Sequence, residues 1–264
     1  MSFSTVSWNV NSIRVRRDQV RDWLEAHRPS VLGLQETKVP DENFPAETYE
    51  ALGYHVLSNG QRTYNGVALI ADRPGEDVVT ELPGLEDPQR RVLAATYDGI
   101  RVINLYVPNG KEVGSDKYDY KLEWLSCLRD WLAEETARHG HLVVMGDFNI
   151  APSDEDVHDP EAWRGKVLFS EPEHEALDAL LALGLKDSFR LFDQEAEQYS
   201  WWDFRTRAFR RNRGLRIDLV LASQALAANC RRAWIDIEPR RGERPSDHAP
   251  VGAEFTMPAE TQSG

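Results

Sequence analysis

Leu93-Ala94-Ala95-Thr96-Tyr97-Asp98-Gly99-Ile100-Arg101-Val102-Ile103-Asn104-Leu105-Tyr106-Val107 holds two apolar, β-rich runs, 93–97 and 102–107, on either side of Asp98-Gly99. Asp-Gly accepts the positive φ angles of a tight hairpin, so the stretch predicts an antiparallel strand pair. Beyond it, Leu122, Leu125, Leu128, Trp131 and Leu132 recur at spacings of three and four and predict a helix over 121–138. The chain then returns to a strand-like run at 142–148. A hairpin followed by a helical crossover excludes all-α and all-β architectures. Working outward, further β-rich runs cover 5–10, 31–35, 54–58, 67–71, 78–82, 216–222, 230–237 and 251–255. Helical patterns cover 15–27 and 173–183, the latter closed by Gly184. The pattern predicts an α/β fold with two sheets packed face to face and helices outside. No repeat, low-complexity tract or linker breaks it, so residues 1–256 are expected to form one domain, with 257–264 a disordered tail.

At 264 residues and 41% hydrophobic content the chain can bury a sizeable core. No run approaches the roughly 18 apolar residues of a membrane helix, and the first residues lack a basic segment followed by a long apolar one, so neither a membrane span nor a signal peptide is expected. Cys127 and Cys230 read as two reduced core thiols, which suits a cytoplasmic protein. The net charge of −13 argues against a nucleic-acid partner if charge is only summed. Its distribution argues otherwise. Acid gathers in 154–161 and 171–178, whereas Arg205, Arg207, Arg210, Arg211, Arg213 and Arg216 fall in one window with no acidic residue. Such a loop can grip a phosphate chain locally while the rest of the surface resists nonspecific binding.

Six apolar runs end in, or run directly into, polar residues able to do chemistry. They are Val6-Ser7-Trp8-Asn9-Val10-Asn11, Leu34-Gln35-Glu36-Thr37-Lys38, Tyr106-Val107-Pro108-Asn109, Gly146-Asp147-Phe148-Asn149, Arg216-Ile217-Asp218 and Ser246-Asp247-His248-Ala249-Pro250. Strand ends hold side chains firmly while facing a common cleft. Carboxylates, amides, a phenol and an imidazole gathered there suit phosphodiester hydrolysis, which needs a hard cation, a positioned water and donors to the phosphate oxygens. Oxygen donors suit Mg²⁺ or Mn²⁺. No zinc-type His/Cys spacing, P-loop, Gly-x-Ser-x-Gly elbow or Gly-x-Gly-x-x-Gly is present. Taken singly, each residue has an ordinary reading: a carboxylate after a strand is usually a cap, His248 a surface turn, and the arginine window a solvated loop. Asp218 resists that reading, because a charge inside an apolar run needs a partner. The other histidines, 27, 55, 139, 141, 158 and 174, read as surface residues.

In this order, Trp-Asn-Val-Asn, Leu-Gln-Glu-Thr-Lys, Tyr-Val-Pro-Asn-Gly, Gly-Asp-Phe-Asn-Ile, Asn-Arg-Gly-Leu-Arg-Ile-Asp and Ser-Asp-His-Ala-Pro resemble the exonuclease III and abasic-site endonuclease family of the endonuclease/exonuclease/phosphatase superfamily. The resemblance runs from about Ser4 to Phe255. It implies a DNase I-like four-layer α/β sandwich of two mixed sheets flanked by helices. It further implies that Glu36 is the principal Mg²⁺ ligand, with Asn9 and Asn11 in support and Asp247 on the metal side. Asp147 would hold or deprotonate the attacking water and Asn149 would help place it. His248, oriented by Asp218, would contact the scissile phosphate together with Tyr106 and Asn109. Trp201, Leu215 and Ile217 would wall a pocket for a flipped, base-less sugar, beside which the arginines would grip the backbone. The implied substrate is double-stranded DNA with abasic sites or blocked 3′ ends, and the implied state a monomer. The chain reads Ser12-Ile13-Arg14-Val15 where relatives often have Gly-Leu-Arg-Ala. It has Asn11 where some have Asp, which ranks that amide below Glu36 as a ligand.

Two rival functions share these motifs: a superfamily phosphatase or phospholipase for a small phosphate ester, and a noncatalytic DNA-binding relative. The residues leave open whether one or two ions act, whether Asp147 or Tyr106 assists the nucleophile, and how exonuclease and endonuclease activities balance.

Overall fold

The computed structural model describes residues 2–256; the expected tail, 257–264, lies outside them. Twelve strands follow in chain order: β1 (Ser2–Asn9), β2 (Val31–Gln35), β3 (His55–Asn59), β4 (Val67–Ala71), β5 (Glu76–Val79), β6 (Val92–Tyr97), β7 (Ile100–Tyr106), β8 (Leu142–Asp147), β9 (Leu185–Asp187), β10 (Asp218–Ser223), β11 (Cys230–Ile235) and β12 (Val251–Thr256). They form two six-stranded sheets, ordered β11-β12-β1-β2-β4-β3 and β5-β6-β7-β8-β10-β9. The Asp98-Gly99 hairpin joins β6 to β7 as expected, with Tyr97 opposite Ile100. Each sheet is mixed: β1–β2 and β7–β8 are parallel, and the other pairs antiparallel.

Alternation along the strands builds four layers. On β8, Val143 and Met145 enter the core between the sheets, while Leu142 and Val144 face outward to the helices. On β4, Val67, Leu69 and Ala71 face inward, and Ala68 and Ile70 outward. The outer face of the first sheet is covered by α1 (Ile13–His27) through Val20, Trp23 and Leu24. The outer face of the second is covered by α2 (Asp116–Arg138) and α3 (Glu171–Leu181) through Leu125, Leu128, Leu132, Leu177 and Leu180. Each of α1 and α2 carries the chain between two parallel strands, the crossover a parallel pair requires.

Several expected boundaries move for local reasons. The helix expected at 121 starts at Asp116, because the Ser115 side chain accepts from the Tyr118 N–H and caps the first turn. The third helix starts two residues early, behind a Ser170/Glu173 capping box. The strand expected at 78–82 is Glu76–Val79, and its register against β6 slips once. The three-residue β9 is too short to announce itself by pattern. Cys127 and Cys230 are free thiols, but both are half-buried where core positions were expected. Among the described residues no helix is long and apolar enough to cross a membrane.

A polar staple joins the sheets beneath one edge. Asn104 on β7 donates to the Leu34 and Ala68 carbonyls across the interface and accepts from Gln35 at 2.6 Å. Gly33 makes room for it, since a Cβ there would lie 2.9 Å from the Asn104 amide and 2.7 Å from Met145 Cε. Both ends of the Asn104 amide are thereby satisfied, while Gln35 Oε1 is buried without a partner.

Candidate active site

The topology selects which strand ends meet. Parallel pairs bring the C-termini of β1 and β2, and of β7 and β8, to the same edge. Their antiparallel neighbours β12 and β10 bring N-termini there. Asn9 ends β1, Tyr106 ends β7, Asp147 ends β8 and Asp218 begins β10; Glu36 directly follows β2, and His248 lies just before β12. The register sets Asp147 opposite both Tyr106 and Asp218.

Ligand atoms of Glu36, Asp147 and His248 all lie within 4.8 Å of one another. Asn9 bridges the two carboxylates, its Nδ2 donating to Glu36 Oε1 and to Asp147 Oδ2, each at 2.9 Å. Asp147 Oδ1 accepts from the Asn149 N–H at 2.9 Å. His248 Nε2 stands 3.7 Å from Asp147 Oδ2, and its Nδ1 lies 2.8 Å from Asp218 Oδ2. Asp218 also accepts from the Ser200 hydroxyl at 2.7 Å, while its Oδ1 is buried with no partner. Glu36 pairs with Lys38 at 2.9 Å, and that ammonium also donates to Asn11 Oδ1. Asn11 Nδ2 donates to Asp247, whose other oxygen accepts from the Trp201 indole at 3.0 Å. Asn109 donates to Asn149 Oδ1 at 3.1 Å, and Asn149 in turn donates to the Val107 carbonyl.

Charge at this edge is strongly perturbed. Burial pushes the Asp147 carboxyl up to about 7, with Asp218 adding to the rise and His248 opposing it. Burial works against the charged His248 ring, yet Asp218, Asp147 and Asp247 together outweigh it and raise the imidazole to about 10. His248 is therefore a buried cation at neutral pH, with its Nδ1–H donating to Asp218. Burial, then Glu36 and Asp147, raise the Tyr106 hydroxyl well above an ordinary phenol, so it stays protonated. Four carboxylates, Glu36, Asp147, Asp218 and Asp247, meet here with only two cations, Lys38 and His248, at ion-pair distance from any of them, while Arg16 and Arg240 act on Asp247 from further off.

The structure therefore gathers Asn9, Asn11, Glu36, Tyr106, Asn109, Asp147, Asn149, Asp218, Asp247 and His248 at one edge. It sets Trp201 beside them: its backbone bridges Leu215 on one side and His248 on the other. Two expectations need correction. Arg216 is not available to DNA. It is 1% exposed, and its guanidinium is locked onto Asp156 at 2.6 Å and Asp187 at 2.7 Å. Leu215 and Ile217 are fully buried in an apolar cluster with Ala151, Val157, Leu168 and Phe169. They back the half-exposed Trp201 and present no wall to solvent. Asp247, expected on the metal side as a direct or water-mediated ligand, has its oxygens engaged by Asn11 and Trp201. By contrast, Arg205, Arg207, Arg210, Arg211 and Arg213 are exposed and make no ion pair among the described residues. Of the other histidines, His27 and His55 are exposed and the remaining four half-buried.

Sequence reasoning passed over Ser200 and also Lys38, although the latter stands inside the quoted Leu-Gln-Glu-Thr-Lys motif. The departure at Ser12-Ile13-Arg14-Val15 falls on a strained entry to α1. There Asn11 and Ser12 have φ of 43° and 92°, and the Ser12 N–H donates to the Glu36 carbonyl at 2.7 Å. Ser12 thus occupies a glycine-like conformation at the position where a Gly is common among the proteins it resembles.

The endonuclease/exonuclease/phosphatase family profile matches residues 6–248. The chain is 38% identical over 263 residues to an exodeoxyribonuclease III of Haemophilus influenzae, covering 95% of this chain and 98% of that one. It superposes on a 3′ phosphatase from Neisseria, solved with a product DNA hairpin, at a TM-score of 0.95 and 46% identity, covering 97% of this chain and all of that one. It superposes on an AP endonuclease from Archaeoglobus fulgidus at a TM-score of 0.92 and 37% identity, with the same coverage.

Proposed function

This chain belongs to the endonuclease/exonuclease/phosphatase family, and from that membership we propose that it is a Mg²⁺-dependent DNA-repair phosphodiesterase. It incises duplex DNA 5′ to abasic sites and acts on 3′ ends as a 3′–5′ exonuclease and end-cleaning enzyme. The observation that carries this reading is the convergence of Glu36, Asp147 and His248 ligand atoms within 4.8 Å, at an edge where carboxylates outnumber cations four to two.

A hard divalent cation fits that edge. The donors are carboxylate and amide oxygens, and the unpartnered Asp218 Oδ1 and the raised Asp147 carboxyl mark negative charge that the protein leaves uncompensated. Glu36 would be the principal ligand, with Asn9 and Asn11 beside it and Asp247 acting through Asn11. When bound, the ion supplies charge neutralisation at the phosphate. The chain's own groups do the rest. His248, cationic and oriented by Asp218, donates to a non-bridging phosphate oxygen. Tyr106 stays protonated and serves as a second donor, with Asn109 as a third. Asp147, the carboxyl balanced near neutrality, holds the water and takes its proton; Asn149 fixes Asp147 through its backbone N–H. That division favours Asp147 over Tyr106 as the group that assists the nucleophile. The five exposed arginines grip the backbone, and Trp201 supplies the apolar face for a base-less or terminal sugar. The unit so described is a single catalytic domain, residues 1–256, acting in the cytoplasm as a monomer.

The test uses two duplexes, one with a tetrahydrofuran abasic analogue and one with a 3′-phosphate, each with Mg²⁺ or with EDTA. Metal-dependent incision of the first and dephosphorylation of the second are expected. Failure of folded protein on both refutes the reading. Hydrolysis of a small phosphate ester that excess duplex DNA does not inhibit would favour the small-ester alternative, against which the unpaired arginines stand.

A further inference from the structure

Arg240 lies on a short 3₁₀ turn, Glu238–Arg241, and is 6% exposed. It makes no ion pair among the described residues, and its Nε has no hydrogen-bond partner. A guanidinium held this way is costly: burial strips its hydration and lowers its pKa to about 10, and Asp247, beyond ion-pair distance, offsets only part of that. Part of that cost is offset by three aromatic rings, whose centroids lie 4.7 Å (Phe209), 5.4 Å (Phe204) and 5.7 Å (Trp202) from its Cζ. Its one hydrogen bond runs from Nη1 to the carbonyl of Ser246.

These contacts join two regions that also meet at the Trp201–His248 bridge and where the Trp202 N–H donates to the Asp247 carbonyl at 3.1 Å. Phe204 and Phe209 flank Arg205 and Arg207 in the exposed arginine loop. Ser246 heads the turn that carries Asp247 and His248; its hydroxyl donates to the Asn9 carbonyl at 2.6 Å and accepts from the His248 N–H at 3.2 Å. A cleft of about 390 Å³, lined by Phe204, Arg207, Phe209, Arg210, Arg240 and Pro245, opens between loop and turn. From its other side the turn is held by Arg16, which donates to the Asn11 and Pro245 carbonyls at 2.6 and 2.7 Å. Arg16 stacks on no loop ring, so Arg240 is the guanidinium that touches both loop and turn.

We propose that Arg240 is a positioning residue that transmits engagement of DNA by the arginine loop to the placement of His248. The inference rests on the nuclease reading above. The planar face of Arg240 registers the seating of Phe204 and Phe209, and its N–H sets the Ser246 carbonyl and with it the His248 ring. Lysine keeps the charge but has neither the flat face nor the fork, so Arg240→Lys separates geometry from electrostatics.

The experiment measures kcat and KM on a duplex with a 3′-phosphate for Arg240→Lys, Phe209→Leu and the double variant, alongside the His248 ring resonances by NMR. Arg240→Lys should keep the wild-type fold by circular dichroism, lower kcat about tenfold, change KM less than twofold and shift the His248 resonances. Phe209→Leu should lower kcat similarly, and the double variant should fall no further, since both changes break one connection. Wild-type kcat in Arg240→Lys, or multiplicative losses in the double variant, would overturn the proposal. Should Arg240→Lys not fold, Phe209→Leu decides alone: unchanged kcat and unmoved His248 resonances overturn it. Absence of turnover by the wild-type enzyme would sink the nuclease reading instead. The resonances then still judge Arg240, with no shift in either variant counting against it.

Discussion

Arg216 lies two residues before Asp218, the first residue of β10, and each is about 1% exposed, yet they belong to opposite kinds of charged cluster. Arg216 faces Asp156 and Asp187, with Arg190 2.5 Å from Asp156 and 3.1 Å from Glu155, so cations and anions nearly match. Asp218 faces His248 in a cluster where four carboxylates meet two cations. Other buried pairs are one to one, as in Lys121–Glu173 and Arg101–Glu135, while the buried Arg16 and Arg240 have no ion-pair partner among the described residues. Burial of charge therefore does not distinguish the functional edge. A surplus of carboxylates over ion-paired cations does, because in a low-dielectric interior repelling carboxylates are stabilised by a cation from outside the chain.

The largest effect should come from emptying the unbalanced cluster. Glu36→Ala is expected to lower Mg²⁺-dependent kcat/KM about a thousandfold, the scale set by losing several kcal/mol of transition-state stabilisation. The thermal midpoint should stay level or rise, since a repelled carboxylate is gone. Steady-state kinetics and a melting curve on the same sample check both, and a variant that cuts normally would remove Glu36 from its role.

The balanced cluster should respond in the opposite sense. Arg216→Met leaves Asp156 and Asp187 without their buried partner and should cost about 3–5 kcal/mol of stability, the usual penalty for orphaning a buried charge. Urea unfolding measures it. A loss below 1 kcal/mol would mean that the pairing is not structural and would reopen a DNA-facing role for Arg216.

The motifs made most of the functional edge legible, because each motif is a strand end and the α/β pattern places strand ends together. Which arginine faces inward was not legible: Arg213 and Arg216 look alike in sequence, and only the carboxylates of Asp156 and Asp187, 60 and 29 residues away, decide it. The sugar pocket was misread for a related reason. Leu215 and Ile217 pack against Leu168 and Phe169, distant in sequence, so they pass from expected wall to core. Lys38 reaches Asn11, 27 residues away, and Ser200 reaches Asp218, 18 residues away, contacts that local pattern does not encode.

Acid sharpens the comparison further. Burial alone would raise the Asp156 carboxyl, but Arg216 and then Arg190 bring it below its ordinary 3.8. A depressed carboxyl stabilises the fold fully above its unfolded value and loses that contribution as pH falls toward the folded one. Stability should therefore drop as pH falls below about 3.8, and Asp156→Asn, weaker at neutral pH, should show a flatter acid limb. Equal slopes for both proteins in urea midpoint against pH would contradict this.

The smallest effect belongs to the exposed arginines. Arg210→Ala should weaken duplex binding a few-fold and reduce the slope of log affinity against log salt by about one. An unchanged slope would place Arg210 off the DNA path.

The decisive measurement is anomalous diffraction from crystals soaked in Mn²⁺. A cation is expected about 2.1 Å from a Glu36 carboxylate oxygen, at the edge shared with Asp147, and lost in Glu36→Ala. A peak only on the acidic run 154–161, or none beside Glu36 at saturating Mn²⁺, would contradict the claim that the unbalanced cluster is built to receive a divalent ion.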